Sequence, residues 1–174
     1  MNLAEYQGWT SSTADYPLAG MGSVNEFMYL TLGLSGEVSE SAYEEYADNT
    51  QLALGELGDC YWYATRLAKC VGLDLSTMDT APLLKEIAQT VTHPFQVEAM
   101  MISGKIANHV KKLYRDKNTL GLKEKIAESL LRLFALLELI IKTHGMTVAE
   151  VLAENVEKLE SRKKNNTIHG SGDR

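Results

Sequence analysis

Two acidic pairs at helical spacing constrain this chain more than anything else in it. The first lies in Gly36-Glu37-Val38-Ser39-Glu40 and the second in Gly55-Glu56-Leu57-Gly58-Asp59, with fifteen residues between Glu40 and Glu56. Residues three apart share a helix face, so Glu37 projects with Glu40 and Glu56 with Asp59, and like charges so placed repel. The flanks are apolar, with Tyr29-Leu30-Thr31-Leu32-Gly33-Leu34 before the first pair and Cys60-Tyr61-Trp62-Tyr63-Ala64 after the second. Carboxylates in such surroundings belong at the edge of a core, where they need a compensating cation. Two helices packed antiparallel would gather all four groups, and an all-oxygen cluster without His or Cys suits Mg²⁺ or Mn²⁺ better than zinc. One acidic pair alone reads as a solvated helix face. Two pairs in apolar settings favour the cluster.

The remaining pattern is helical throughout. Leu3, Tyr6 and Trp9 give a short helix, which Pro17, Gly20 and Gly22 interrupt. Phe27, Leu30, Leu34, Val38 and Ala42 predict a helix from about Asn25 to Ala47, and a second runs from Gln51 to Val71 with Gly72 as its stop. Asp74 or Ser76 caps a brief helix expected near residues 76 to 91, and His93-Pro94 breaks the chain before the next, with His93 read as a turn residue rather than a ligand. Helices then follow at Phe95 to Tyr114, Leu122 to Thr143, and from the Thr147 cap to about Lys163, with Asn165 to Arg174 as loop. No strand is convincing, so the fold class is all-α, a helical bundle in one domain spanning residues 1–174.

Bulk properties narrow the function classes. The longest apolar run, Leu133 to Ile141, is broken by Glu138 and is too short for a membrane span. No charged leader followed by an apolar stretch opens the chain, and Cys60 and Cys70 lack metal-ligand spacing, so a reducing cytoplasm is expected. Charge is divided unevenly: residues 1 to 80 hold 12 acids against 2 bases, and residues 81 to 174 hold 11 against 15. An acidic half that gathers metal and a basic half that meets phosphates is one reading, and two halves that simply pack together is the other. No basic stripe with interleaved aromatics is present, which argues against a nucleic-acid polymer as partner.

The string Glu56-Leu57-Gly58-Asp59-Cys60-Tyr61-Trp62-Tyr63, together with Gly36-Glu37-Val38-Ser39-Glu40, resembles the MazG-like nucleoside triphosphate pyrophosphohydrolases. That family's pattern is Gly-Glu-x-x-Glu on one helix and Glu-Leu-Gly-Asp-x-x-Trp-Tyr on the next. The opening Glu5-Tyr6-Gln7 and Tyr16-Pro17, and the ending Asn155 to Arg162 with Gly170-Ser171-Gly172-Asp173-Arg174, are similar to the family's ends. The resemblance implies an all-α NTP pyrophosphatase bundle in which Glu37, Glu40, Glu56 and Asp59 hold Mg²⁺. It further implies that a nucleoside triphosphate is cleaved to the monophosphate and pyrophosphate by water attack at the α-phosphorus. Asn155, Lys158 and Arg162 match the family's closing motif and would meet substrate, although Lys and Arg near a helix end also serve as ordinary caps. Trp62 and Tyr63 would stack on a base, or else belong to the core. The resemblance also implies a homo-oligomer, a dimer being favoured. One carboxylate, Glu40 for instance, would orient the water; the alternative to an enzyme is a non-catalytic metal- or nucleotide-binding bundle. A di-iron carboxylate site is set aside, because no His stands three residues after a Glu.

The two halves also align with each other. Ser103-Gly104-Lys105-Ile106-Ala107-Asn108 matches Ser35 to Glu40 at an offset of 68, and Lys142 to Val148 matches Lys69 to Leu75 at an offset of 73. Under these offsets Glu37 becomes Lys105, Glu40 becomes Asn108, Glu56 becomes Ser129 and Asp59 becomes Arg132. Residues 1–80 then form a metal-binding repeat unit and residues 95–174 a degenerate second unit with its tail, an internal pseudo-dimer. Chance similarity between amphipathic helices is the competing account.

Overall fold

The computed structural model describes residues 1–116 and 121–167, and the ending Gly170 to Arg174 lies outside them. Seven α-helices account for the described residues: α1 (Leu3–Trp9), α2 (Val24–Tyr46), α3 (Thr50–Val71), α4 (Ala81–Thr90), α5 (Phe95–Asp116), α6 (Leu122–Thr143) and α7 (Val148–Lys164). No strand is present among them. The helix ends follow local chemistry. The Ser23 side chain accepts from the Glu26 amide, Gly72 closes α3 in the left-handed region at φ 78°, and Thr147 with Glu150 forms a reciprocal capping box on α7. The brief helix expected from residue 76 begins instead at Ala81. Asp74 caps only a 3-10 turn over Leu75–Thr77, and Pro82, which has no amide hydrogen to donate, sits in the first turn of α4.

Two helical hairpins, α2–α3 and α5–α6, form a four-helix bundle in which α2 packs on α5 and α3 on α6. The apolar stripe of α2 (Phe27, Leu30, Leu34, Val38) meets Leu57, Tyr61 and Leu67 of α3 in one continuous core. Helix α6 is buried on nearly every side, with Leu133, Phe134, Ala135, Leu136 and Leu137 all at most 1% exposed. The reason is that α4 and α7 also lie against it, so a run that is too short to cross a membrane is instead the centre of the bundle. Each such Leu or Phe contributes on the order of 1.5–3 kcal/mol through burial. No described helix is long and apolar enough to cross a membrane.

The loop before α2 is pinned by a buried ion pair. Glu26 is fully buried and accepts from the Gly20 and Gly22 amides at 2.6 and 2.7 Å and from the Tyr16 hydroxyl at 2.9 Å. Arg66 of α3, itself only 2% exposed, stands 3.6 Å from Glu26 and donates to the Tyr16 hydroxyl at 3.3 Å. Burial alone would raise the Glu26 carboxyl, yet the two amides, Tyr16 and Arg66 hold it below its ordinary value. Removing one partner of such a pair leaves an uncompensated charge in the core. Arg66→Met is therefore expected to destabilise the fold by about 3–5 kcal/mol, measured by chemical denaturation; wild-type stability in this variant would contradict the pairing.

Candidate metal centre

The α2–α3 hairpin brings three of the four predicted carboxylates together. Glu37, Glu56 and Asp59 each offer one oxygen, and these oxygens lie within 4.8 Å of one another. They form the one such acidic group among the described residues. Glu40 is exposed and lies outside that group, although its charge is near enough to act on both Glu37 and Glu56. The consequence of crowding is visible in protonation. Burial first, then the charges of Asp59, Glu56 and Glu40 and a hydrogen bond with Glu56, push the Glu37 carboxyl up to about 8. Burial also raises Glu56. The Glu37–Glu56 pair therefore holds on to a proton more readily than either carboxyl would alone, which lowers the like-charge repulsion.

Asp59 is held from the opposite side by α7. Asn155 Nδ2 donates to its Oδ1 at 2.7 Å and Lys158 Nζ to its Oδ2 at 2.6 Å. Asn155 is only 3% exposed, and its own Oδ1 accepts from the Tyr6 hydroxyl at 2.6 Å. Two glycines leave room beside the cluster. A Cβ on Gly58 would lie 3.0 Å from Asn155 and press its amide back by a few tenths of an ångström, and a Cβ on Gly33 would lie 2.2 Å from the Tyr63 ring, which would have to shift.

Beside the cluster opens a cleft of about 110 Å³, walled by Thr13, Asp15, Tyr16, Tyr29, Trp62, Tyr63, Leu159 and Arg162, with Glu37 and Asp59 on its border. That volume is below the roughly 300–1,000 Å³ of pockets that enclose drug-sized ligands; the cleft suits one part of a ligand. Trp62 is mostly buried and its Nε1 donates to Thr13 Oγ1 at 2.9 Å, whereas Tyr63 is half-buried, with Trp62 edge-on at 4.9 Å and Tyr29 at 6.2 Å. Tyr16 stacks on Tyr29 at 4.6 Å between ring centroids. The sequence reading missed Thr13, Asp15 and Tyr16 as cleft residues because they lie in a segment whose periodicity is broken, and Tyr29 because it stands on α2 off the apolar stripe. The Glu26–Arg66 pair was also missed; an acid in an apolar helix start was its only trace.

Among its described residues, the second hairpin contains no comparable cluster. Lys105 and Asn108 are exposed, buried Ser129 donates to the Lys125 carbonyl, and Arg132 bonds Glu86 at 2.9 Å and Glu98 at 3.4 Å, joining α6 to α4 and α5. His93, outside any helix, reaches Glu98 at 2.9 Å.

The all-α bundle thus carries a half-buried, all-carboxylate cluster that could hold a metal ion, beside an aromatic cleft. More particularly, the chain belongs to the family of the Gene 37 protein of Mycobacterium phage L5. The two are 35% identical over 100 residues, an overlap covering 49% of this chain and 85% of that protein. The chain matches no protein-family model and no solved structure.

The raised carboxyl of Glu37 has a defined linkage to stability. A carboxylate that is more basic in the folded than in the unfolded chain contributes fully below the unfolded value, and that contribution is lost as pH rises through the folded value. In chelator, the melting temperature is thus expected to fall between about pH 4.5 and about pH 8, the ordinary and raised values of Glu37. Glu37→Gln should flatten this part of the profile. A profile equally steep in the variant would remove Glu37 as its source.

Proposed function

We propose that this protein is a Mg²⁺-dependent nucleoside triphosphate pyrophosphohydrolase that cleaves a triphosphate to a monophosphate and pyrophosphate. The observation that carries this reading is the convergence of Glu37, Glu56 and Asp59 within 4.8 Å beside an aromatic-lined cleft. The donors fit the ion: three carboxylates without nitrogen or sulfur suit a hard cation that prefers oxygen, and Mn²⁺ would substitute. When bound, such an ion supplies charge neutralisation of the phosphates and activation of water.

The chain's own residues would do the rest. Glu37, Glu56 and Asp59 would hold the ion. A neighbouring carboxylate, Glu40 for instance, would accept the proton of the attacking water. The water oxygen forms a bond to the α-phosphorus, the bond from that phosphorus to the bridging oxygen breaks, and pyrophosphate leaves with that oxygen. Arg162 lines the cleft and Lys158 sits on Asp59, so α7 brings two cationic groups near the cluster, suited to phosphate oxygens. Tyr63 and Tyr29 offer aromatic faces for a base, and Trp62 fixes that wall through Thr13.

The second hairpin is read as a decayed copy of the first, giving one active site per chain. Its support is the packing of α2 on α5 and α3 on α6, in which each helix faces its counterpart under the offsets 68 and 73. Arg132 then stands where a ligand carboxylate would be, and it ties three helices instead. Assembly of two chains into a dimer in a cytoplasmic setting completes the proposal.

Incubation with a panel of nucleoside triphosphates and Mg²⁺ should release pyrophosphate, and Glu56→Gln should reduce the rate by at least about a hundredfold while keeping the helical circular-dichroism spectrum. Orthophosphate as the first product would refute the reaction. Binding without turnover would instead favour a non-catalytic nucleotide-binding protein. Titration with a non-hydrolysable analogue and Mn²⁺ should saturate at one nucleotide per chain, and two equivalent sites would overturn the decayed-copy account.

A further inference from the structure

We infer that Tyr6 and Asn155 form a positioning pair that fixes the orientation of the Asp59 carboxylate, a role distinct from substrate contact. The inference rests on the metal reading of the acidic cluster. Its starting point is an unbroken series of short hydrogen bonds from α1 through α7 to α3: Tyr6 hydroxyl to Asn155 Oδ1 at 2.6 Å, then Asn155 Nδ2 to Asp59 Oδ1 at 2.7 Å.

The directions of these bonds are dictated by chemistry. An ionised carboxylate can only accept, so Asn155 must turn its Nδ2 toward Asp59, and its amide oxygen is thereby turned toward α1. That oxygen needs a donor because Asn155 is only 3% exposed, and the fully buried Tyr6 hydroxyl supplies it. Burial, followed by the charge of Asp59, drives the Tyr6 phenol well above its ordinary range, which favours the protonated hydroxyl that donates. The opposite side of the carboxylate is closed by Lys158 on Oδ2 at 2.6 Å. Asp59 is thus gripped at both oxygens, one of which lies within 4.8 Å of the oxygens that Glu37 and Glu56 offer.

Gly58 provides an independent sign that the approach of Asn155 is required. Its φ is helical, so its value lies in the missing side chain, which would meet Asn155 Cβ and Nδ2 at 3.0 Å. A glycine inside a helix costs about 1 kcal/mol relative to alanine. Here that cost admits the amide that orients the neighbouring carboxylate. Groups that orient metal ligands typically account for about 10- to 100-fold in metal affinity.

The test is Mn²⁺ affinity of the full chain, followed by electron paramagnetic resonance, for wild type, Tyr6→Phe, Gly58→Ala and Tyr61→Phe. Tyr61 is the control: its hydroxyl is also buried, but it reaches the Phe134 carbonyl of α6 at 3.5 Å in the core rather than Asn155 or the cluster. Tyr6→Phe and Gly58→Ala should each weaken Mn²⁺ binding by about tenfold or more, and Tyr61→Phe should leave it unchanged. Gly58→Ala keeps the test decisive if Tyr6→Phe fails to fold, since alanine favours the helix. Unchanged affinity in both variants overturns the positioning pair and leaves the hydrolase reading standing. A wild-type chain that binds Mn²⁺ but releases no pyrophosphate does the reverse, and equal weakening in all three variants reduces the effect to general loosening and overturns the pair.

Discussion

Three carboxylates within 4.8 Å of one another repel, and everything around them in this bundle answers that repulsion. Charges about 4 Å apart interact by roughly 4 kcal/mol at an effective dielectric of 20, which is comparable with a large share of a domain's net stability. The chain meets this in three ways. The Glu37–Glu56 pair holds on to a proton, Lys158 places an ammonium on Asp59, and Asn155 donates to the same carboxylate. None of these devices lies in the α2–α3 hairpin except the proton, so α7 is needed for electrostatic reasons as well as for packing.

A second theme is how much of the site depends on residues that contribute by being small. Gly33 and Gly58 are the positions where the Tyr63 ring and the Asn155 amide approach a helix backbone so closely that a Cβ would have to displace them. Both glycines lie within three or four residues of a clustered carboxylate, so the backbone that carries the acids is also the backbone that admits their neighbours.

The fold was legible because its signal is periodic and redundant. The stripe of α2, the Gly72 stop and the Thr147 capping box each specified an element that the structure contains. The start of α4 was not, because Asp74 is a sound cap whichever helix follows it, and only the position of Pro82 decides where that helix begins. In the site, helical spacing placed Glu37, Glu56 and Asp59 on facing surfaces, but it could not distinguish Glu40, one turn along and turned outward. The cleft wall was hidden for a different reason. Tyr16, Thr13 and Asp15 reach the site through a loop fixed by the Glu26–Arg66 pair, and a contact across 40 residues leaves no periodicity to read.

The bond between Tyr6 and Asn155 spans 149 residues, so it joins the first helix to the last described one. A ribosome emits these segments in order, at roughly 5–20 residues per second, and the four bundle helices are all available before α7 appears. During that interval Asp59 has neither the Lys158 ammonium nor the Asn155 amide. The nascent bundle then carries these carboxylates without their α7 partners, and completion of the cluster is timed by the emergence of α7 rather than by collapse of the core.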